Sequence, residues 1–212
     1  ELGQWDKAAG DFGRAITEGR EDTTTFRAQA LARLGGGDLA GFKQLCGRMA
    51  KRFGGSRADG QAVGWTCALV PDALPDLKSV LRQAEQAQAD HPKSAAHLIA
   101  VGALLYRTGQ LQPALQQLEK AQPLRGAADA AADWLLLALT QQRLGRPDEA
   151  KKWLDKAAQA QDAGPAREAR TWQERVAPLA RWVQGVCQTI RVGAQAAARS
   201  ANERVGGLAT RV

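Results

Sequence analysis

The chain has 212 residues, of which 44% are hydrophobic and only 5% aromatic, and its net charge is +7 at pH 7. This length allows a buried core, whereas no run of about 18 apolar residues is present that could span a membrane. The three cysteines are far apart in the sequence. Their spacing predicts neither a disulfide framework nor a metal cluster, and it favours reduced thiols in a cytoplasmic protein.

Helix-forming residues dominate the composition, and no run alternates β-branched and polar residues over the length of a strand. An all-helical chain is therefore predicted. The sequence does not begin with Met, so we expect it to continue a longer gene product or to follow a processing event.

Residues 1–20 are predicted to form the second helix of a pair whose first helix is missing. The positions that mark this helix are Gly3, Ala8, Phe12 and Ala15. Without its partner, the helix should expose apolar surface around Trp5, Phe12 and Ile16. Self-association through this surface is one expected consequence.

The same spacing recurs 34 residues later, in a unit over residues 23–53. Its first helix is predicted from Thr25 to Leu34, ended by the glycines at 35–37. Asp38 is placed to cap the second helix. Cys46 occupies a core position of that helix, which predicts a buried side chain and not a nucleophile.

Residues 53–60 are predicted to form a polar, glycine-rich and mobile loop before an irregular unit over residues 59–92. The first helix of this unit is predicted from Gln61 to Leu69 and stops at Pro71. The second is predicted from Pro75 to Ala89, and Pro92 closes the unit because proline cannot continue a helix.

The clearest repetition lies in two units over residues 95–126 and 131–161, which match at an offset of 36 residues. The first carries Leu98, Gly102, Gly109, Ala114, Leu118 and Ala121, and the second carries Trp134, Ala138, Gly145, Ala150, Leu154 and Ala157. These intervals fit a helix, a tight turn and a second helix folded back on the first. A fixed period of this size indicates stacked repeats.

The repeat spacing does not continue into residues 163–212. An apolar stripe from Trp172 to Val186 predicts a closing helix that covers the last repeat, kinked at Pro178. The remainder is predicted to be a weakly ordered basic tail. From residue 165 onward the chain has three glutamates and eight arginines, namely Arg167, Arg170, Arg175, Arg181, Arg191, Arg199, Arg204 and Arg211.

The repeated positions resemble the tetratricopeptide repeat (TPR), a 34-residue helix–turn–helix family. The resemblance implies a right-handed superhelical solenoid of antiparallel helix pairs over residues 1–162, with a C-terminal capping helix. The phrases GQWDKAAGDFGRAI and ADWLLLALTQQRLGRPDEAKKWLDKA further resemble a bacterial subfamily. In that subfamily, such repeats stand at the carboxyl end of large proteins that carry a serine/threonine kinase or a WD-repeat propeller upstream.

The resemblance also implies a concave groove lined by the first helix of each pair. Family positions that face this groove fall on Arg27, Leu31, Ile99, Ala103, Tyr106, Leu135, Leu139 and Gln142, with Arg107 at the margin. Members that clamp a terminal carboxylate use Lys and Asn at two of these positions, and this chain has neither there. The groove is therefore predicted to bind an amphipathic helix or an extended apolar segment of a protein partner or of an upstream domain. Coverage by the chain's own tail or by a second copy is the alternative.

Two other function classes are less well supported. The basic tail is an alternative binding site for nucleic acid or an anionic surface, but its arginines are dispersed with few aromatics between them, which favours a solvated helix face. Catalysis is not predicted, because the only histidines, His91 and His97, would lie on opposite sides of one helix. The Gly35–Asp38 run lacks the residues of a phosphate loop. No cofactor and no metal site are predicted.

Overall fold

The computed structural model describes residues 4–125 and 131–162. Every regular element in these two ranges is helical, as the composition predicts. They are α1 (Trp5–Thr17), α2 (Thr23–Gly36), α3 (Leu39–Phe53), α4 (Gly60–Ala68), α5 (Leu77–Asp90), α6 (Ala95–Arg107), α7 (Leu111–Ala121), α8 (Ala131–Arg143) and α9 (Pro147–Asp162), with a 3-10 turn at Gln122–Leu124. The closing helix and basic tail predicted beyond residue 162 lie outside the described residues.

The helices form antiparallel pairs that stack on one another. Within pairs, α2 packs on α3, α4 on α5, α6 on α7 and α8 on α9, and each second helix also contacts the first helix of the following pair. This is the arrangement of a helical-repeat solenoid, in which every unit contacts only its neighbours. The predicted all-α stack of helix pairs is confirmed, and its right-handed superhelical sense stays a prediction.

Capping residues set the helix boundaries in the second unit. Asp22 accepts a hydrogen bond from the Thr25 backbone N–H at 2.8 Å, so α2 begins two residues before the predicted start. Of the three glycines at 35–37, only Gly37 has a positive φ, +83°, and α2 therefore continues through Gly36. Asp38 accepts from the Gly41 N–H at 2.8 Å and caps α3 as predicted.

Three apolar residues of α1 were predicted to be exposed, and only one of them is. Phe12 is 36% exposed, but Ile16 is buried at 4%, and Trp5 is half-buried. The prediction was wrong for Ile16 and overstated for Trp5 because α2 of the next unit packs along α1. The indole of Trp5 lies over Gly35, where an added Cβ would stand 2.7 Å from a ring carbon.

The core lies between the layer formed by the first helices of the pairs and the layer formed by their second helices. In the second unit the rings of Phe26 and Phe53 meet edge to face with centroids 5.4 Å apart, and Cys46 is fully buried as predicted. In the fourth unit a Cβ on Gly102 would lie 2.8 Å from Leu118, so the small residue is needed for the pair to close.

The turn between α3 and α4 is tied to the third unit. Gln83 of α5 is buried, and its Nε2 donates to the Phe53 carbonyl at 2.7 Å and to the Ser56 carbonyl at 2.8 Å. One side chain thus donates to two backbone acceptors at and just after the end of α3, and the Phe53 carbonyl also accepts from the Ser56 N–H at 2.9 Å. Residues 53–60 are a held turn and not a free loop.

The linker after α7 is joined to α8 by two side-chain contacts. Trp134 Nε1 donates to Gln122 Oε1 at 2.7 Å. Arg125 forms an ion pair with Asp133 at 3.0 Å, and Asp133 is buried at 1% exposure. These contacts place α8 against the fourth unit.

Candidate functional site

The candidate binding surface is the row formed by the first helices of the pairs, here called the first-helix face. Along this row α2 contacts α4, α4 contacts α6, and α6 contacts α8. All eight residues predicted to line the groove lie on three of these helices. Arg27 and Leu31 are on α2, Ile99, Ala103 and Tyr106 on α6, and Leu135, Leu139 and Gln142 on α8.

Exposure differs sharply along the first-helix face. Ile99, Ala103, Tyr106, Leu135 and Leu139 are only 2–8% exposed. Residues 98–106 of α6 and 133–141 of α8 are buried all around the helix, which is the pattern of an interior helix and not of an amphipathic one. Of the predicted groove residues on α6 and α8, five are therefore buried in this conformation, and only Gln142, at the end of α8, is half-buried.

The α2 end of the row is more open. Arg27, Leu31 and Leu34 are each half-buried. Their spacing of four and three residues puts them on one stripe of the helix. Thr24, one turn before Arg27, is exposed. This stripe of Arg27, Leu31 and Leu34, here called the α2 stripe, includes two of the predicted groove residues and is the part of the first-helix face where partly exposed side chains adjoin one another.

Arg107 has a structural role that its sequence position did not reveal. Its Nε donates to the Ala68 carbonyl at 2.7 Å and its Nη2 to the Leu69 carbonyl at 2.9 Å. These carbonyls belong to the last residue of α4 and to the C-cap residue after it, and neither has an intrahelical donor. Burial lowers the pKa of Arg107 from its ordinary value. Arg107 thus joins the end of one first helix to the next.

Arg143 repeats this contact one unit later. Its Nη1 donates to the Tyr106 carbonyl at 3.1 Å, at the end of α6. Its guanidinium lies 4.9 Å from the centroid of the Tyr106 ring, and that of Arg107 lies 5.5 Å from it. The 36-residue offset between the two arginines was the sequence signal for a shared role. Tyr106 is consequently held between two cations.

The two histidines are neighbours, contrary to the sequence argument. His91 caps the end of α5 and His97 lies in α6, and their ring centroids are 4.7 Å apart. The prediction failed because it treated them as residues of one helix. Burial, and then the charge of His91, lower the pKa of His97. Its Nδ1 is 2.8 Å from Ser94 Oγ.

Cys46 and Cys67 come from different units and meet in the core. Both are free and fully buried. The neighbouring Cys46 thiol, and then burial, raise the pKa of Cys67 well above its ordinary value of 9.0. A buried thiol with a raised pKa is a poor nucleophile. Among the described residues no group of three or more His, Cys, Asp or Glu side chains is placed to hold a metal ion.

Across residues 4–125 and 131–162, no helix is both long enough and apolar enough to cross a membrane.

Comparisons with known proteins bear on the fold. No family model and no curated protein matches the chain. Among solved structures, TTC0263, a thermophilic TPR protein of Thermus thermophilus, is similar with a TM-score of 0.56 and 21% sequence identity, over 84% of this chain and 92% of that chain. MamA from residue 41 to its end, from Desulfovibrio magneticus RS-1, has a TM-score of 0.47 and 14% identity, over 78% of this chain and 100% of that chain. The likeness to the Thermus protein shows a TPR-like fold.

Proposed function

We propose that this chain is a non-catalytic scaffold that binds a protein segment on its first-helix face, beginning at the α2 end. The observation that carries the proposal is the half-buried stripe of Arg27, Leu31 and Leu34. Two leucines and an arginine stem offer apolar area, and partly exposed area of this kind gains free energy when a partner covers it.

The chemistry of the stripe favours an amphipathic helix or an extended apolar segment as the partner. An apolar stripe along one helix can be covered by the apolar face of a partner helix or by an extended apolar segment. A terminal-carboxylate clamp is not proposed, because the corresponding positions on α6 are Ile99 and Ala103.

The α6 and α8 residues of the predicted groove take part only if the face opens. Ile99, Ala103, Tyr106, Leu135 and Leu139 are buried. A partner that reaches them must therefore bind a conformation in which they are accessible, and its apparent affinity falls by the population of that conformation. The α2 stripe is thus the first contact, and the α6–α8 segment is an extension of it.

A pair of matched substitutions tests this proposal. Peptides selected from a random library against the unmodified chain would be measured by fluorescence polarisation on two variants. Leu31→Glu places a charge in the stripe. Leu39→Glu makes the same change at the start of α3, where the leucine is 45% exposed and in the other helix layer.

Leu31→Glu should weaken the selected peptides about 10- to 100-fold, the equivalent of losing roughly 1.5–3 kcal/mol of leucine burial. Leu39→Glu should change their affinity by less than about twofold, as for other surface substitutions. Equal losses in the two variants, or no loss in Leu31→Glu, would refute the α2 stripe as the binding surface.

A further inference from the structure

The positive charge of the repeat units is concentrated on α3. Residues 1–162 contain 21 lysines and arginines and 19 aspartates and glutamates, a net charge of +2. Helix α3 alone carries four cations and no acid, namely Lys43, Arg48, Lys51 and Arg52. The other residues of this range therefore sum to −2. A local excess of one sign on one helix creates a positive potential that attracts anionic partners.

Three of these cations have no counter-charge in the part of the chain that the structure describes. Arg52 forms an ion pair with Glu21 at 3.1 Å. No described carboxylate lies within ion-pair distance of Lys43, Arg48 or Lys51. Arg48 and Lys51 are exposed and Lys43 is half-buried. Their charged groups are therefore available to a partner.

Gly47 leaves the space between the two lysines open. Lys43, Gly47 and Lys51 follow one another at intervals of four residues, so they form one stripe that rises about 12 Å along the helix. A Cβ on Gly47 would meet no atom within 4 Å. A partner can thus approach the α3 backbone between two ammonium groups. These three residues and Arg48, which flanks them, are here called the α3 basic face.

The composition of α3 favours one class of anionic partner. Single-stranded nucleic acids stack their bases on aromatic side chains, but both aromatic residues of α3, Phe42 and Phe53, are buried. Membrane-surface helices insert an apolar face, but that face of α3 lies in the core, and Leu39 is its one exposed large apolar side chain. An acidic protein segment requires only the cations.

We propose that the α3 basic face binds an acidic polypeptide segment whose carboxylates pair with Lys43, Arg48 and Lys51. Carboxylates eight residues apart on a partner helix have the same rise, about 12 Å, as the two lysines. Exposed ion pairs are individually weak, so we expect a dissociation constant on the order of 0.1 mM at low salt. The α3 basic face lies in the layer of second helices, and the proposal is therefore independent of the α2 stripe.

Fluorescence anisotropy with the full chain tests this assignment. The probe is a fluorescein-labelled helical peptide that carries glutamate at every fourth position. Its comparison peptide has glutamine in place of each glutamate. Oligothymidine and vesicles of phosphatidylcholine with phosphatidylserine represent the two other classes of anionic partner.

Substitutions of two glycines locate the binding. Gly47→Glu places a carboxylate four residues from each lysine of the stripe, and Gly47→Lys adds a cation there. Gly10→Glu and Gly10→Lys are the matched controls, because Gly10 is an exposed residue of α1 where a Cβ also meets no atom within 4 Å. Each pair makes the same change in net charge and in helix propensity. Circular dichroism checks that all four variants fold.

Gly47→Glu should weaken binding of the glutamate peptide about tenfold, because it pairs with both lysines and repels the ligand. Gly47→Lys should strengthen binding about threefold. Both Gly10 variants should stay within about twofold of the wild type. The effects at position 47 should shrink between about 50 mM and about 200 mM salt, since exposed charges are screened.

Four results would overturn the proposal. The first is that the wild type gives no saturable binding of the glutamate peptide, and the second is that the glutamine peptide binds equally well. The third is that the position 47 and position 10 variants change affinity alike, which would mean that net charge alone governs binding. The fourth is that oligothymidine or the anionic vesicles bind more tightly than the peptide, with the same dependence on position 47.

Discussion

The arginine contacts between successive first helices give the sharpest stability test. Arg107→Met keeps a long apolar stem but removes two hydrogen bonds, of 2.7 Å and 2.9 Å, to carbonyls at the end of α4. Hydrogen bonds to charged groups contribute about 1.5–3 kcal/mol each. Part of this is offset because burial of the guanidinium disfavours its charged form, as its lowered pKa shows. The expected net loss is about 2–3 kcal/mol.

Arg143→Met is the matched control. It removes one hydrogen bond of 3.1 Å from an exposed side chain, so the expected loss is about 1 kcal/mol. Urea unfolding followed by circular dichroism gives both values. Amide hydrogen exchange should show faster opening of α4 in Arg107→Met, because that helix loses the donors to its terminal carbonyls.

Two results would contradict this reasoning. Equal losses in the two variants would mean that the second hydrogen bond and the greater burial of Arg107 contribute nothing. A loss below about 1 kcal/mol in Arg107→Met would mean that water replaces the arginine at the two carbonyls without cost.

Three further predictions concern the core. Gln83→Met leaves the Ser56 carbonyl without a donor and the Phe53 carbonyl with only the Ser56 N–H, and it should lower the free energy of unfolding in urea by about 1–3 kcal/mol; an unchanged midpoint would refute its role. Gly102→Ala, which forces a contact of 2.8 Å with Leu118, should cost about 1–3 kcal/mol, whereas Gly47→Ala should stabilise by up to about 1 kcal/mol in the same thermal melts. The pKa of Cys67 is raised in the folded state. The protonated thiol therefore makes its full contribution to the free energy of unfolding below pH 9.0, and this contribution is lost as pH rises further. Cys67→Ala should therefore flatten the decline of stability above that pH in urea titrations, and an unaltered slope would argue against the raised pKa.

Much of the fold could be predicted from the sequence because its determinants are local. The 36-residue offset placed α6 to α9, and the helix-forming composition excluded strands in the described ranges. Asp38 as a helix cap follows from residues three positions apart. The burial of Cys46 follows from its place in the helical period.

The candidate site was predicted less well because its properties depend on packing between distant residues. The sequence assigned Ile99 and Leu135 to a groove, but their exposure depends on everything packed around α6 and α8. The sequence places Arg107 at the groove margin, although its partners are carbonyls 38 and 39 residues earlier. No pattern of side-chain types marks a backbone carbonyl as an acceptor in need of a donor.

The sequence alone determined that this chain is a stack of helix pairs, because spacing along the chain fixes helices, turns and the apolar stripe of each. Only the tertiary structure decided which stripes stay open. It buried Ile16 under α2, placed His91 beside His97 and Cys46 beside Cys67, and left the α2 stripe partly exposed. The physical reason is that burial is a property of the surface opposite a residue, and that surface comes from another part of the chain.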